Sequence, residues 1–428
     1  MIKKLHSVSR RQVLKGAAAG GLAAGSLPAI FSPAVAVPAT VKIGLVGPKT
    51  GPLALFYEEM AWAIEHAKKA TGNSITINGT KHPLEIVTKD SQSNPNRASE
   101  VAQELILKDK VHIVTTFATP ETVNPVADQC ELNGMPCVSN DDPLESFFFG
   151  RKGDLKKPFE WTYCFCFSGS EVIGCDMAIW ARVKTNSNLG VLWANDDDGR
   201  AFSHVMPAPI KQAGFNLIDP GRFDLPASDF TPEISKFKSE NVEVVFAVIP
   251  GPDFTIFWNQ CAQQGFKPKI VTAGKVAEFP QGIYPYGNRA INFAIEVWWS
   301  KYHPYSSSLT GESSRELAEA YEKEANQQAT MGVGFRFSLL EVPIAALKIT
   351  QKLDDPASIR NAVRDNAFKT IVGPVDFRKG PLPNTSLTPL VGGQWRKGKK
   401  WPLELVIVDN KLFPDIPVNG EPEPMPYG

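Results

Sequence analysis

From Val41 onward, apolar residues come in short runs that alternate with stretches of helical spacing. The run "VKIGLVG" (41–47) is β-rich and nearly continuous, as expected of a strand covered on both faces. After the turn "TGPLA", Phe56, Met60, Ala63, Ile64 and Ala67 recur at the steps of a helix face. The strand "LEIVTKD" follows, then a helix capped by Asn94 and opened by Pro95. That helix carries Ala98, Val101, Ala102, Leu105 and Ile106 on one side. "VHIVTTF" and "MPCVS" predict two more strands around a helix starting near Pro120. Strands alternating with helices in this way imply a parallel sheet covered on both faces.

"FEWTYCFCF" (159–167) interrupts the rhythm, and a second cycle begins. "NLGVLWAND" predicts a strand, and "GRAFSHVMPAPIKQAG" a helix that Pro207 and Pro209 must kink or shorten. "FNLIDPGRFD" is extended and 229–240 helical. "VEVVFAVI", "DFTIFWNQCAQQG" and "KPKIVTAG" then predict strand, helix and strand. Two such sets predict two similar α/β lobes rather than one long sheet. A helical block over 312–366 and a β-rich, proline-rich tail complete the chain.

The N-terminal segment follows another logic. Lys3, Lys4, Arg10, Arg11 and Lys15 form a positive region without an acidic residue, ahead of the weakly apolar "GAAAGGLAAGSLPAIF". Ala34-Val35-Ala36 offers a small-x-small cleavage site, so residues 1–36 are expected to be a removable export signal. The apolar run is short and glycine-rich for a membrane span. The paired arginines of "SRRQVLKG" resemble a twin-arginine signal, although Val13 stands where that pattern usually has phenylalanine. The expected location of the product is the periplasm.

The whole chain of 428 residues balances 45 basic against 45 acidic side chains, so loss of the leader leaves a net charge near −5. That offers no electrostatic footprint for nucleic acid. Six cysteines, at 130, 137, 164, 166, 175 and 261, all follow the leader. In an oxidising compartment they permit disulfides, and Cys130 with Cys137, flanking a helix-to-strand turn, is the expected pair. The spacing of Cys164 and Cys166 in "CFC" is a weak metal signal without a second ligand pair, and no metal or other cofactor is expected.

Five phrases occur in an order that resembles the type I periplasmic solute-binding proteins of the branched-chain amino acid (Leu/Ile/Val)-binding family. They are "VKIGLVGPKTGPLA", "NPVADQCELNGMPCVS", "DFTPEISKFKSENVEVVFAVIPGPDF", "AQQGFKPKIVTAG" and "FKTIVGPVDFRKG". The resemblance implies two doubly wound parallel-sheet lobes joined by three hinge crossings, near 160–165, 286–293 and 380–390. One lobe would comprise 41–160 plus 290–382, the other 164–288 plus 388–428. It also implies a ligand held between the lobes, hinge closure, and a membrane permease of an ABC importer as partner, with a monomer expected.

Ligands of open α/β sheets lie beyond the carboxyl ends of strands, where helix N-termini present free N–H groups. The loops to watch are therefore 50–57, 117–122, 140–143, 196–199, 250–253 and 272–275. Within them stand Phe56, Tyr57, Phe117, Thr119, Asp141, Asp198, Pro250 and Lys275. By the resemblance, Phe56 covers the ligand and Thr119 lies in the loop that supplies donors to its carboxylate. Lys275 departs from the acidic residue that amino-acid binders place near the start of its loop to hold an ammonium. A lysine there suits a carboxylate or another anionic oxygen. Trp298 and Trp299, close to the second crossing, add flat walls suited to a ring.

The resulting expectation is a binder of a small carboxylate, with an aromatic body as one form. If Glu278 instead takes the acidic position, an amino acid or amide ligand returns. A ligand sensor on the same fold and an exported cofactor enzyme are the rival classes. "NDDDG" (195–199) lacks a complete calcium loop, and Asp198 before Gly199 is expected to cap a helix or to contact the ligand from that cap, accepting a hydrogen bond from a ligand hydroxyl or amine. "GQWRKGKK" lacks the final Ser or Thr of a phosphate loop and is expected to be a hairpin. Neither a nucleophile elbow nor a paired-histidine spacing points to catalysis.

Overall fold

The computed structural model describes residues 38–427; the expected export signal and its cleavage near Ala36 lie outside the described residues. Six strands come first: β1 (Val41–Gly47), β2 (Ser74–Ile77), β3 (Thr80–Asp90), β4 (Ile113–Phe117), β5 (Cys137–Asn140) and β6 (Thr162–Cys166). Six more follow: β7 (Asn188–Ala194), β8 (Asn216–Ile218), β9 (Arg222–Phe223), β10 (Val244–Val248), β11 (Ile270–Gly274) and β12 (Ala294–Val297). The tail holds a small hairpin of β13 (Phe368–Thr370) and β14 (Gly373–Val375), then β15 (Thr385–Leu387), β16 (Val391–Lys397) and β17 (Leu403–Asp409).

Two large sheets result. The first runs β15-β6-β5-β4-β1-β3-β2, and the second β17-β16-β12-β11-β10-β7-β8, with β9 also on β7. The strands are parallel except β2 against β3 and β16 against β12 and β17. The centre of the first sheet is set by β1, in register with β3 from Val41↔Leu84 and with β4 from Ile43↔Ile113. Interior strands β4, β5, β10 and β11 are buried throughout, which accounts for their continuous apolar runs.

Local chemistry fixes several helix starts. Asn94 Oδ1 accepts from the N–H groups of Asn96 and Arg97, and Pro95 opens the helix Pro95–Leu107. Its five expected residues, Ala98 to Ile106, are buried in a second apolar cluster with Val46, Val114 and Val126. Pro207 divides the expected helix into Asp197–Val205 and Pro207–Gln212. The 19-residue helix Met331–Ile349, buried nearly all round, packs beside β2, β4 and β5. Among the described residues, no helix is long and apolar enough to cross a membrane.

The structure moves two expected crossings. β6 pairs with β5 in the first sheet, so the chain leaves that sheet after Cys166 rather than over 160–165. β12 pairs with β11 and β16 in the second sheet, so the next passage follows Val297 rather than spanning 286–293. Both expected placements follow from the family resemblance; in the fold β6 and β12 complete the ladders of their sheets. The third passage, between β15 and β16, falls at 388–390.

A further correction concerns the cysteines. The expected Cys130–Cys137 bridge is absent, and all six cysteines are free and buried. Cys130 and Cys137 serve as small apolar residues of the second cluster. The stretch 393–400 is the end of β16 and its turn, as a hairpin requires.

Candidate functional site

The carboxyl ends of the parallel strands in both sheets converge on one small cavity of about 40 Å³. The first sheet's loops contribute Phe56 after β1, Thr119 after β4, Asp141 and Pro143 after β5, and Phe167 after β6. The second contributes Asp198 after β7, Val248 at the end of β10, Lys275 and Glu278 after β11, and Glu296 and Trp298 at and after β12. Val172 and Phe202, from helices of the second cycle, complete its apolar wall. The walls are thus aromatic and acidic, with one ammonium group.

Each charged group has a traceable position. Gly199 lets the helix Asp197–Val205 start hard against the end of β7, because a Cβ there would meet the Ala194 carbonyl oxygen at 1.9 Å. Asp196, not the expected Asp198, caps this helix: its Oδ1 accepts from Gly199 N–H at 2.7 Å. Asp198 is therefore free within the first turn and faces the cavity. Lys275 takes φ 65°, in the left-handed region, directly after β11. Its Nζ lies 2.8 Å from Asp198, 3.0 Å from Asp196 and 3.8 Å from Glu121. Glu121 belongs to the helix Pro120–Leu132 beside the first sheet, so this cluster joins groups from both sets of strands.

Burial raises the Glu121 carboxyl to about 7, although Lys275 opposes the rise. Burial would likewise raise Asp196, but Lys275 overrides it and holds that carboxyl below its ordinary range. Asp198 remains raised by burial despite the ammonium beside it. Lys275 is buried too, yet its carboxylate neighbours keep its pKa well above the usual lysine range.

Opposite this cluster, the fully buried Arg336 of Met331–Ile349 pairs with Asp141. Its Nε donates to the Phe56 carbonyl at 2.8 Å, and its guanidinium lies 4.2 Å over the Phe117 ring. Glu278 Oε1 accepts from Lys275 N–H at 2.9 Å, whereas its Oε2 has no hydrogen-bond donor. Burial, reinforced by Glu296, pushes the Glu278 carboxyl well above the carboxylate range. Burial, reinforced by Asp176, does the same to Glu296.

A family profile described as a periplasmic binding protein matches residues 40–399. The chain belongs to the periplasmic binding proteins. The Leu/Ile/Val-binding protein homolog 7 of Brucella abortus (strain 2308) is 22% identical over 366 residues, 84% of this chain and 90% of that protein. Among solved structures, the leucine binding protein LivK of Thermotoga maritima MSB8 superposes with a TM-score of 0.71 at 19% identity. That match covers 87% of this chain and 99% of the other. A solute binding protein of an ABC transporter from Rhodopseudomonas palustris BisB5, in complex with 3,4-dihydroxy benzoic acid, gives 0.68 at 20% identity. It covers 87% of this chain and 98% of the other. These likenesses carry the fold: a mixed α/β periplasmic binding protein with parallel sheets.

Of the ten residues singled out in the sequence of this periplasmic binding protein, Phe56, Thr119, Asp141, Asp198, Lys275 and Trp298 line the cavity. Four stand elsewhere. Tyr57 packs on Phe117 with ring centroids 5.8 Å apart, and Phe117 supports Arg336. Pro250 precedes the helix Gly251–Gln263. Trp299 is buried with its Nε1 donating to Ser314 Oγ and the Ile371 carbonyl. Sequence reasoning passed over Phe167, Phe202, Glu296 and Arg336. A single arginine inside the apolar "MGVGFRFSLLEVP" was a usable signal, since a buried charge needs a partner.

Proposed function

We propose that this chain is the solute-capturing component of an ABC importer, with the sets of elements around its two sheets acting as lobes that close on a nitrogen-bearing solute. The observation that carries this reading is the shared cavity: its walls come from both sheets, at the strand ends where open α/β sheets bind ligands. At about 40 Å³ it is far below the roughly 300 Å³ of a small-molecule pocket. Entry of a solute therefore requires the lobes to part, and the passages after Cys166, after Val297 and at 388–390 are the places to bend. A permease would then receive the closed, loaded form.

The polar end of the solute follows from the charges. Lys275 was expected to clamp a carboxylate, but Asp196, Asp198 and Glu121 already surround its ammonium. Glu278, with an undonated oxygen beside the cavity, supports the alternative in which an ammonium group is held. Phe56, Phe167 and Trp298 suit an apolar or flat body.

The test is a thermal-shift screen of the chain from Val37, refolded once to remove bound solute, against amines, amino acids, amides and carboxylates. A solute at 100 times its Kd adds about 2.7 kcal/mol, which raises Tm by a few degrees in a protein of this size. Shifts with amino-bearing solutes, lost in Glu278→Gln, are expected. Shifts confined to carboxylates and lost in Lys275→Ala would restore the anion clamp, and no shift with any solute would remove the capture reading.

A further inference from the structure

We propose that the turn Ala54–Tyr57 is a latch on the cavity: Leu55, held by the first set of elements, seats against Gly251 and Gly282 of the second, and this contact sets how often the cavity opens. This deepens the capture reading above and rests on it, since a latch acts only where the two sets part.

The turn is mounted on the first set at both ends. Thr50, ahead of it, donates from its N–H and Oγ1 to the Asp90 carboxylate at the end of β3, at 3.2 and 2.7 Å. Ser93 Oγ donates to the Thr50 carbonyl and accepts from Leu53 N–H. At the far end the Phe56 carbonyl accepts from Arg336, and Tyr57 packs on Phe117. Between these anchors Leu55 reaches the second set. Its Cδ1 lies 3.6 Å from where a Cβ on Gly251 would stand and 3.3 Å from where one on Gly282 would. Gly251 opens the helix Gly251–Gln263 after β10, and Gly282 belongs to the short helix Pro280–Ile283 after β11. The two glycines therefore leave a socket for one leucine methyl. A Cβ on Gly282 would also meet the Val276 carbonyl oxygen at 2.4 Å, so the floor of the socket has no room for a side chain. Phe56 adds a second apolar contact between the sets, edge-on to Phe279 with ring centroids 4.9 Å apart.

The place of the turn gives these contacts their consequence. Leu55 lines a groove of about 450 Å³ together with Gly251 and Gly282, whereas Phe56 lines the cavity of about 40 Å³. Consecutive residues of one turn thus border both spaces, and the turn is a wall between them. The charged contact across the sets, Lys275 with Glu121 at 3.8 Å, opposes opening less. Parting the sets returns those groups to water, and their hydration offsets the lost attraction. Leu55, Phe56 and Phe279 lose apolar cover with no such return.

Thiol trapping tests the latch without a solute. Val248→Cys places one thiol on the cavity wall, at a position only 6% exposed. The native Cys130 and Cys137, buried in the second apolar cluster, report unfolding in the same molecule. Modification by methyl methanethiosulfonate is followed at each thiol by mass spectrometry. With Leu55 in place the introduced thiol is expected to react slowly, yet faster than the native pair. Leu55→Ala is expected to speed it about tenfold or more, with the native pair unchanged. Leu55→Met, which keeps an apolar side chain in the socket, is expected to hold the slow rate. Three results overturn the latch and leave capture standing: a rate unchanged in Leu55→Ala but still above that of the native pair, an equal acceleration of all three thiols, or a rate with Leu55 in place that matches an exposed cysteine. An introduced thiol that reacts only as fast as the native pair in both proteins would mean that the sets do not part, which overturns both readings.

Discussion

At Lys275 a left-handed backbone residue carries its ammonium between two aspartates of the neighbouring helix start. Its neutralisation of the buried Asp198 and the largely buried Asp196 and Glu121 gives a prediction for stability. Lys275→Met should cost about 3–5 kcal/mol, the range for stranding buried charges, read as a lowered urea midpoint. A loss below about 1 kcal/mol would mean that the three carboxylates do not depend on this ammonium. Glu59 gives the second residue-scale prediction. It lies 1% exposed against the start of Met331–Ile349, where a Cβ on Gly332 would meet its carboxylate at 2.6 Å. Burial raises its pKa from 4.5 to about 7, against the pull of Arg336. The folded state thus holds a proton that the unfolded chain releases near 4.5. The stability from this group is full below that pH and is lost as pH rises to about 7. Glu59→Gln should therefore be more stable than the parent at pH 8, by up to about 3 kcal/mol at 1.36 kcal/mol per tenfold change in proton affinity. Little difference is expected at pH 4. A gain at pH 4 as large as that at pH 8 would contradict the assignment.

The elements position these residues through close backbone approaches. Gly199→Ala forces a Cβ into the Ala194 carbonyl, so the helix Asp197–Val205 must move off the end of β7 and take Asp198 with it. Solute affinity should fall in this variant, with a lowered Tm; unchanged binding would mean that the helix start does not set the site. The elements themselves were largely legible. Periodicity predicted β1 and the buried face of Pro95–Leu107, because each pattern reports burial directly. The sheet to which a strand belongs was less legible. The resemblance places crossings at 160–165 and 286–293, and β12 with the first lobe, whereas β6 pairs in the first sheet and β12 in the second; pairing to a distant neighbour leaves no local mark. The site was legible by loop, since strand ends can be counted, and six of the ten named residues reached the cavity wall. Neighbours such as Phe117 and Trp299 did not, because one step along a strand or loop turns a side chain from the site to the core. The pairing of Lys275 with Asp196 and Glu121, 79 and 154 positions away, was beyond any local pattern.

At the scale of the molecule, two sheets share one cavity, and the chain passes between them three times. Under the proposed capture reading, a solute in that cavity would link the two sets of elements, so that binding and closure would be one event, and the acids on the walls would set which solutes stabilise the closed form. The most direct measurement is a crystal structure of the protein with the tightest solute from the thermal-shift screen. The account predicts that the solute touches Phe56 or Thr119 on one side and Glu278 or Trp298 on the other, with its nitrogen at a carboxylate. A solute held by residues of one sheet alone, or seated in the groove between Leu55 and Arg289, would contradict it.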